Sequence, residues 1–142
     1  LEVNVRFGDP ECQPLMMRMK SDLLPYLRAT AKGELEGMDA PQWDDRVAVG
    51  VVAAAPGYPE APVKGAVIEG LDEISCEEGL EVFQAGTSLD GEGHTVVSGG
   101  RVLCVTALGA DTSEARDRAY AALETVRFEG MHVRTDIAER AL

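Results

Sequence analysis

This sequence is poor in basic residues. Its 13 Lys and Arg face 25 Asp and Glu, a formal net charge of −12, and nowhere do the cations form a run. A phosphate-backbone binder needs a clustered basic surface, so nucleic acid is excluded as a partner. What remains is a solvated acidic exterior. Cysteine is scarce as well: Cys12, Cys76 and Cys104 are odd in number, and no two stand at Cys-x-x-Cys spacing. That excludes a disulfide framework and a zinc knuckle. Reduced, mostly buried thiols fit a cytoplasmic protein. No apolar run approaches the roughly 20 residues of a membrane-spanning helix, and no secretory leader pattern is visible, so no membrane partner is expected. There is no internal repeat, and no Gly-rich phosphate loop followed by a strand lysine.

What is present suffices for a core. Hydrophobic residues make up 45% of the 142 positions, room for one domain of ordinary size. Residue 1 is Leu rather than Met and starts directly in a strand-like run. The expectation is a piece of a longer chain whose partner strands lie elsewhere.

Leu1 to Phe7 alternates strictly, which predicts a strand with Leu1, Val3, Val5 and Phe7 on one face and Glu2, Asn4 and Arg6 on the other. Gly8-Asp9-Pro10 breaks it. Asp9 is placed to cap a helix that begins at Pro10 and ends near Lys20. Ser21 or Asp22 caps a second helix with Leu23, Leu27 and Ala31 on one face, stopped by Gly33. Residues 33–46 are polar and read as a junction. Val47 to Ala55 is a continuous small-apolar strand, expected to be buried on both faces. Pro56-Gly57-Tyr58-Pro59 is a turn. Short strands are expected near Val67–Ile68 and Leu80–Ala85, then a hairpin with its tip at Asp90–Gly93, then a strand from Arg101 to Leu108. Asp111-Thr112-Ser113-Glu114 has capping-box spacing ahead of a helix that presents Ala115, Ala119, Ala122, Leu123 and Val126. Phe128 to Val133 closes as a short strand. The fold class is α+β: one strand and two helices, then a mostly antiparallel β unit with one good helix.

The residues that can carry chemistry begin with Glu2, Asn4 and Arg6. A period of two sets a carboxylate, an amide oxygen and a guanidinium in a row. A hard cation takes one or two protein oxygens and the rest from phosphates and water. Arg6 can hold an anionic or carbonyl oxygen beside it. On spacing alone, the same pattern also describes the wet face of an edge strand. Asp9 has two compatible readings, a helix cap or a polar contact to a substrate amine. Arg101, after Gly99-Gly100, can touch a substrate phosphate or form a surface ion pair. His94 belongs to a solvated hairpin tip, and Cys104 to an apolar strand where it is core rather than nucleophile. Arg134, Asp136 and Arg140 read as a salt-bridged C-terminal cap.

Taken in order, these runs resemble one family. Leu-Glu-Val-Asn-Val-Arg-Phe-Gly-Asp-Pro-Glu-Cys-Gln-Pro-Leu over 1–15 is similar to the last core strand and following helix of the ATP-grasp domain of glycinamide ribonucleotide synthetases. The likeness continues through Arg18–Leu23, Gly57-Tyr58-Pro59, Val82–Thr87, Gly99–Gly109, Phe128–Met131, Arg134–Ile137 and Arg140–Leu142. Two departures are Pro56 and Glu60 around the Gly-Tyr-Pro turn and Ala138-Glu139 in the tail. The resemblance implies that residues 1–36 are the C-terminal remnant of an ATP-grasp domain and 37–142 the family's C-terminal domain. It implies an ATP-dependent ligase that joins phosphoribosylamine and glycine through a glycyl phosphate in purine synthesis. ATP is its co-substrate and Mg2+ or Mn2+ its metal. Glu2 and Asn4 would hold that metal, Arg6 would be catalytic and substrate-binding, and Asp9 and Arg101 would touch substrate. The residues that grip ATP would lie in a missing N-terminal part of the same enzyme, so the 142 residues alone are expected to be inactive. The alternative is a detached, non-catalytic module used for packing or assembly.

Overall fold

The computed structural model describes residues 5–74 and 77–142. Glu2, Asn4, most of the first predicted strand and Cys76 lie outside the described residues. Of that strand, Val5 and Arg6 form a bend and Phe7 is irregular. A strand holds its extended backbone through a hydrogen-bonded neighbour, and among the described residues none pairs with 5–7.

Helix α1 spans Cys12–Arg18. It starts two residues later than predicted, because residues 9–11 form a turn. Glu11 occupies the cap position without a side-chain bond, so Asp9 is not the cap; its carboxylate is engaged elsewhere. Helix α2 spans Leu23–Lys32 and is capped by Asp22, which accepts from the Leu24 amide at 2.9 Å. Gly33 ends it in the left-handed region at φ 71°, as its freedom from a Cβ permits. The covered face of α2 differs from the expected one. Ala29 is its buried residue, whereas Leu27 and Leu24 are exposed. The helix rests on the loop that follows it, where the Tyr26 hydroxyl donates to the Asp39 carbonyl at 3.2 Å.

That loop, the expected junction, is tied down. The Lys20 amide donates to the Gln42 carbonyl at 2.9 Å, and Met19 bridges Trp43. Asp44 completes the staple. Its backbone pairs with Arg18 in both directions, and its carboxylate takes a two-pronged bond from Arg46 at 3.0 and 2.8 Å.

Strand β1 is Val47–Ala54 and β2 Leu80–Gln84. A hairpin of β3 Thr87–Leu89 and β4 Thr95–Val97 follows, then the long β5 Arg101–Gly109, helix α3 Thr112–Leu123 and β6 His132–Val133. The main sheet has the order β2-β5-β1-β6, and its neighbouring strands pair antiparallel. The register sets Val51 opposite Val105 and Val49 opposite Ala107. These residues share one face, and α3 packs on it through Ala115, Ala119 and Leu123. The small side chains Ala115 and Ala119 at i and i+4 let the helix axis approach the sheet closely. The opposite face carries Gly50, Cys104 and Thr106, and α1 crosses it with Pro14 beside Gly50. Cover there is thinner: Ala48, Gly50 and Val52 are only half-buried, whereas Val49, Val51 and Ala53 on the α3 side are buried.

The capping box at α3 forms with a one-residue offset. Asp111 accepts from the Glu114 amide at 2.9 Å, while Glu114 reaches back to the Ala110 amide at 2.6 Å. The expected strand at Val67–Ile68 appears as isolated bridges at Val67 and Glu69, with the 65–68 segment hydrogen-bonded along β4.

Candidate active site

Four stretches distant in sequence converge at the start of β5. The first is the turn that follows β1. Tyr58 lies over Gly100, and a Cβ at Gly100 would stand 2.3 Å from the ring. The second is the loop after β2. Gly86 sits against Gly99, its carbonyl accepting the Ser98 and Gly99 amides at 2.7 and 3.1 Å. The third is the Gly99-Gly100-Arg101 turn itself. The fourth is the segment ahead of α1, whose Asp9 Oδ2 lies 3.1 Å from Arg101 Nη2. Of the residues predicted for the site, Asp9 and Arg101 are thus brought into contact. Both are partly exposed, 45% and 40%, so a solute can reach them.

Arg6 is solvent-exposed, and its Nη1 donates to the carbonyl of Phe7 at 3.1 Å. It lines a hollow of about 620 Å3 with Phe7, Glu11, Cys12, Leu15 and Leu27. The metal pair Glu2 and Asn4 lies outside the described residues. Among the described residues no group of three or more His, Cys, Asp and Glu could hold a metal ion.

Cys104 is buried in β5. Burial pushes its thiol pKa up; a contact with the Thr106 hydroxyl at 3.5 Å opposes this, and the Asp9 charge adds to it. The thiol is therefore protonated and inert near neutrality, the core role expected of it. A separate cleft of about 550 Å3 runs along β2, lined by Leu71, Ile74, Leu80 and Leu108 among others. None of the predicted site residues lines it.

The family model described as "Phosphoribosylglycinamide synthetase, C domain" matches residues 48–140. The chain belongs to this family. Along its full length it is 54% identical to the phosphoribosylamine–glycine ligase of Caulobacter vibrioides and 51% identical to the chloroplastic one of Arabidopsis thaliana, covering 33% and 27% of those proteins. It is also similar to the crystal structure of phosphoribosylamine–glycine ligase from Thermotoga maritima. That match has a TM-score of 0.76 and 37% identity, and covers 97% of this chain and 33% of that one. The chain thus spans about a third of the length of the relatives it matches. The expected α+β class and family resemblance both hold.

Several residues that organise this fold escaped the sequence reading. Gln13 donates from Nε2 to Asp9 Oδ1 at 3.2 Å; a spacing of four was the available signal, though Asp9 lies ahead of the helix. Arg116 donates to the Thr135 and Ile137 carbonyls, and the Tyr120 hydroxyl to the Arg134 carbonyl at 2.6 Å. Together they strap the tail onto α3. The tail's own Arg134–Asp136 pair forms as expected, but the strap comes from the helix. His94 is half-exposed at the hairpin tip, its Nδ1 3.1 Å from Asp90.

Proposed function

We propose that this chain is the C-terminal part of an ATP-dependent carbon–nitrogen ligase that joins phosphoribosylamine and glycine. Residues 1–36 are read as the end of its ATP-grasp domain and 37–142 as its C domain, the range within which the family match falls. The observation that carries the reading is the convergence on Arg101. The Gly-Tyr-Pro turn, the Gly86 loop, the Gly99-Gly100 turn and Asp9 meet there, and each belongs to a stretch that resembles the synthetases.

In this reading the glycine carboxylate attacks the γ-phosphate of ATP, giving glycyl phosphate and ADP. The amine of phosphoribosylamine then attacks the acyl carbon, and phosphate leaves as the new amide forms. Arg6 presents a fixed positive charge to the acyl-phosphate or carbonyl oxygen, where charge grows in the transition state. Asp9 accepts from a substrate amine, and Arg101 holds a phosphate or carboxylate oxygen. Glu2 and Asn4 offer a carboxylate and an amide oxygen, the hard donors that suit Mg2+ or Mn2+. When bound, such an ion neutralises phosphate charge. The residues that grip ATP belong to the rest of the polypeptide, so the 142 residues alone are inactive. The cytoplasm is the proposed compartment.

The test is ADP release by the full-length protein, dependent on ATP, glycine and phosphoribosylamine. Activity that is lost in Glu2→Ala and Asn4→Ala is the expected result. A folded full-length protein without ADP release would replace this reading with that of a non-catalytic packing module.

A further inference from the structure

We infer that Gln13 is a positioning residue, which holds the Asp9 carboxylate in the orientation that reaches Arg101. The inference deepens the ligase reading and rests on it for its consequence in catalysis. Gln13 is the second residue of α1. Its Nε2 donates to Asp9 Oδ1 at 3.2 Å, while Arg101 Nη2 lies 3.1 Å from Asp9 Oδ2. The two oxygens of one carboxylate are therefore divided between a helix and a strand, and the plane of the group is set from both sides.

The other end of the amide shows why this contact matters. Gln13 Oε1 is buried and has no hydrogen-bond partner; among the described residues no other buried side-chain polar atom is in that state. A buried acceptor without a donor is a cost to the fold. Methionine has nearly the same length and would fill the space without that cost. The contribution of the amide must then lie at its donor end. Reversal of the amide would set its carbonyl oxygen against the Asp9 carboxylate, so the observed orientation is the one Asp9 demands.

Asp9 and Arg101 are 45% and 40% exposed. Two partly exposed side chains left to themselves spend much of their time apart, because pairing costs rotamer freedom. A third group that restrains one of them raises the fraction of time the pair is formed. Gln13 is that group.

The experiment uses the full-length protein with Gln13→Met, which keeps side-chain length and removes the donor. The KM for glycine or phosphoribosylamine should rise about tenfold with kcat within about twofold, as expected for a misplaced binding group. Thermal stability should not fall, since the unpartnered oxygen is gone. Added to Asp9→Asn, the same change should have little further effect. A wild-type KM, or a full further tenfold loss in the Asp9→Asn background, would overturn the inference. A crystal structure of the Gln13→Met protein gives a readout independent of catalysis. Separation of Asp9 and Arg101 beyond about 4 Å, the usual limit of an ion pair, is expected; an unchanged pair refutes the role of Gln13. Absence of ligase activity in the wild type would instead sink the functional reading and leave this structural test standing.

Discussion

Arg101 opens the long strand β5 and pairs at 3.1 Å with Asp9, which precedes the first helix. The contact bolts the segment ahead of α1 to the main sheet beside the candidate site. Because both side chains are partly exposed, it should contribute little to stability, within about 1 kcal/mol. Its effect on catalysis should be larger. On the proposed substrate-binding roles, loss of one charge-assisted contact, about 1.5–3 kcal/mol, corresponds to roughly 10–150-fold in kcat/KM. Asp9→Asn and Arg101→Met in the full-length protein should each fall in that range on the proposed ligase reading, measured by ADP release. The swapped double variant Asp9→Arg with Arg101→Asp can restore an ion pair but not the substrate contact. Recovery of activity in the swap would show that the pair is structural only.

Gly86 offers a sharper test of the turn that carries Arg101. A Cβ there would lie 2.6 Å from the Arg101 carbonyl oxygen and 2.7 Å from the Gly99 Cα. Both are backbone atoms, so the clash cannot be relieved by rotating a side chain. Gly86→Ala should lower stability to urea by about 1–3 kcal/mol. It should also shift backbone amide resonances at 98–101. Unchanged resonances there would mean that the loop yields instead.

Asp44 should make stability depend on acid. The Arg46 side chain, and next the Arg46 backbone amide, hold its carboxyl well below the usual carboxylate range. The folded chain therefore favours the ionised form. The stabilisation is complete above the unfolded-state value of about 3.9 and is lost progressively as pH falls below it. Asp44→Asn should be less stable than the parent near pH 7, and the gap should narrow on acidification below about pH 4. Urea unfolding at a series of pH values reads this directly; a gap of constant size across that range would reject it.

Tyr120 should govern the tail. Its hydroxyl donates to the Arg134 carbonyl at 2.6 Å and accepts from the Ile137 amide at 3.3 Å. Tyr120→Phe removes both bonds and keeps the ring, which lies 5.1 Å from the Arg116 guanidinium. Stability should fall by about 0.5–1.5 kcal/mol. Hydrogen exchange at the Ile137 amide should quicken, while that at Val105 in β5 should change no more than global stability requires. Equal acceleration at both sites would mean that the strap is part of the global unit.

Much of this was legible because it is local. The continuous small-apolar strand from Val47, the hairpin around Asp90–Gly93, the Asp22 and Asp111 caps and the Gly33 stop each depend on a few adjacent residues and their backbone preferences. The misreadings were of another kind. For α2, periodicity found an amphipathic helix but chose Leu23, Leu27 and Ala31 for its covered face; Leu23 is half-buried, Leu27 and Ala31 are exposed, and Ala29 is the buried residue. The surface a helix meets is set by chain that periodicity does not contain. Of the two readings of Asp9, the helix cap fails because Glu11 takes that position; in the fold, Gln13 and Arg101 claim its two oxygens.

By itself the sequence determined the fold class, the order of elements and the family, since hydrophobic period, turn chemistry and extended runs of similar residues are properties of the linear chain. It also named Asp9 and Arg101 as site residues without any reason to join them. Only the tertiary structure decided that they meet and that Gly86 and Gly99 pack backbone to backbone. These are contacts between segments far apart along the chain. Their geometry follows from how α1 crosses the sheet and where β5 begins, and no local pattern of residues encodes that placement.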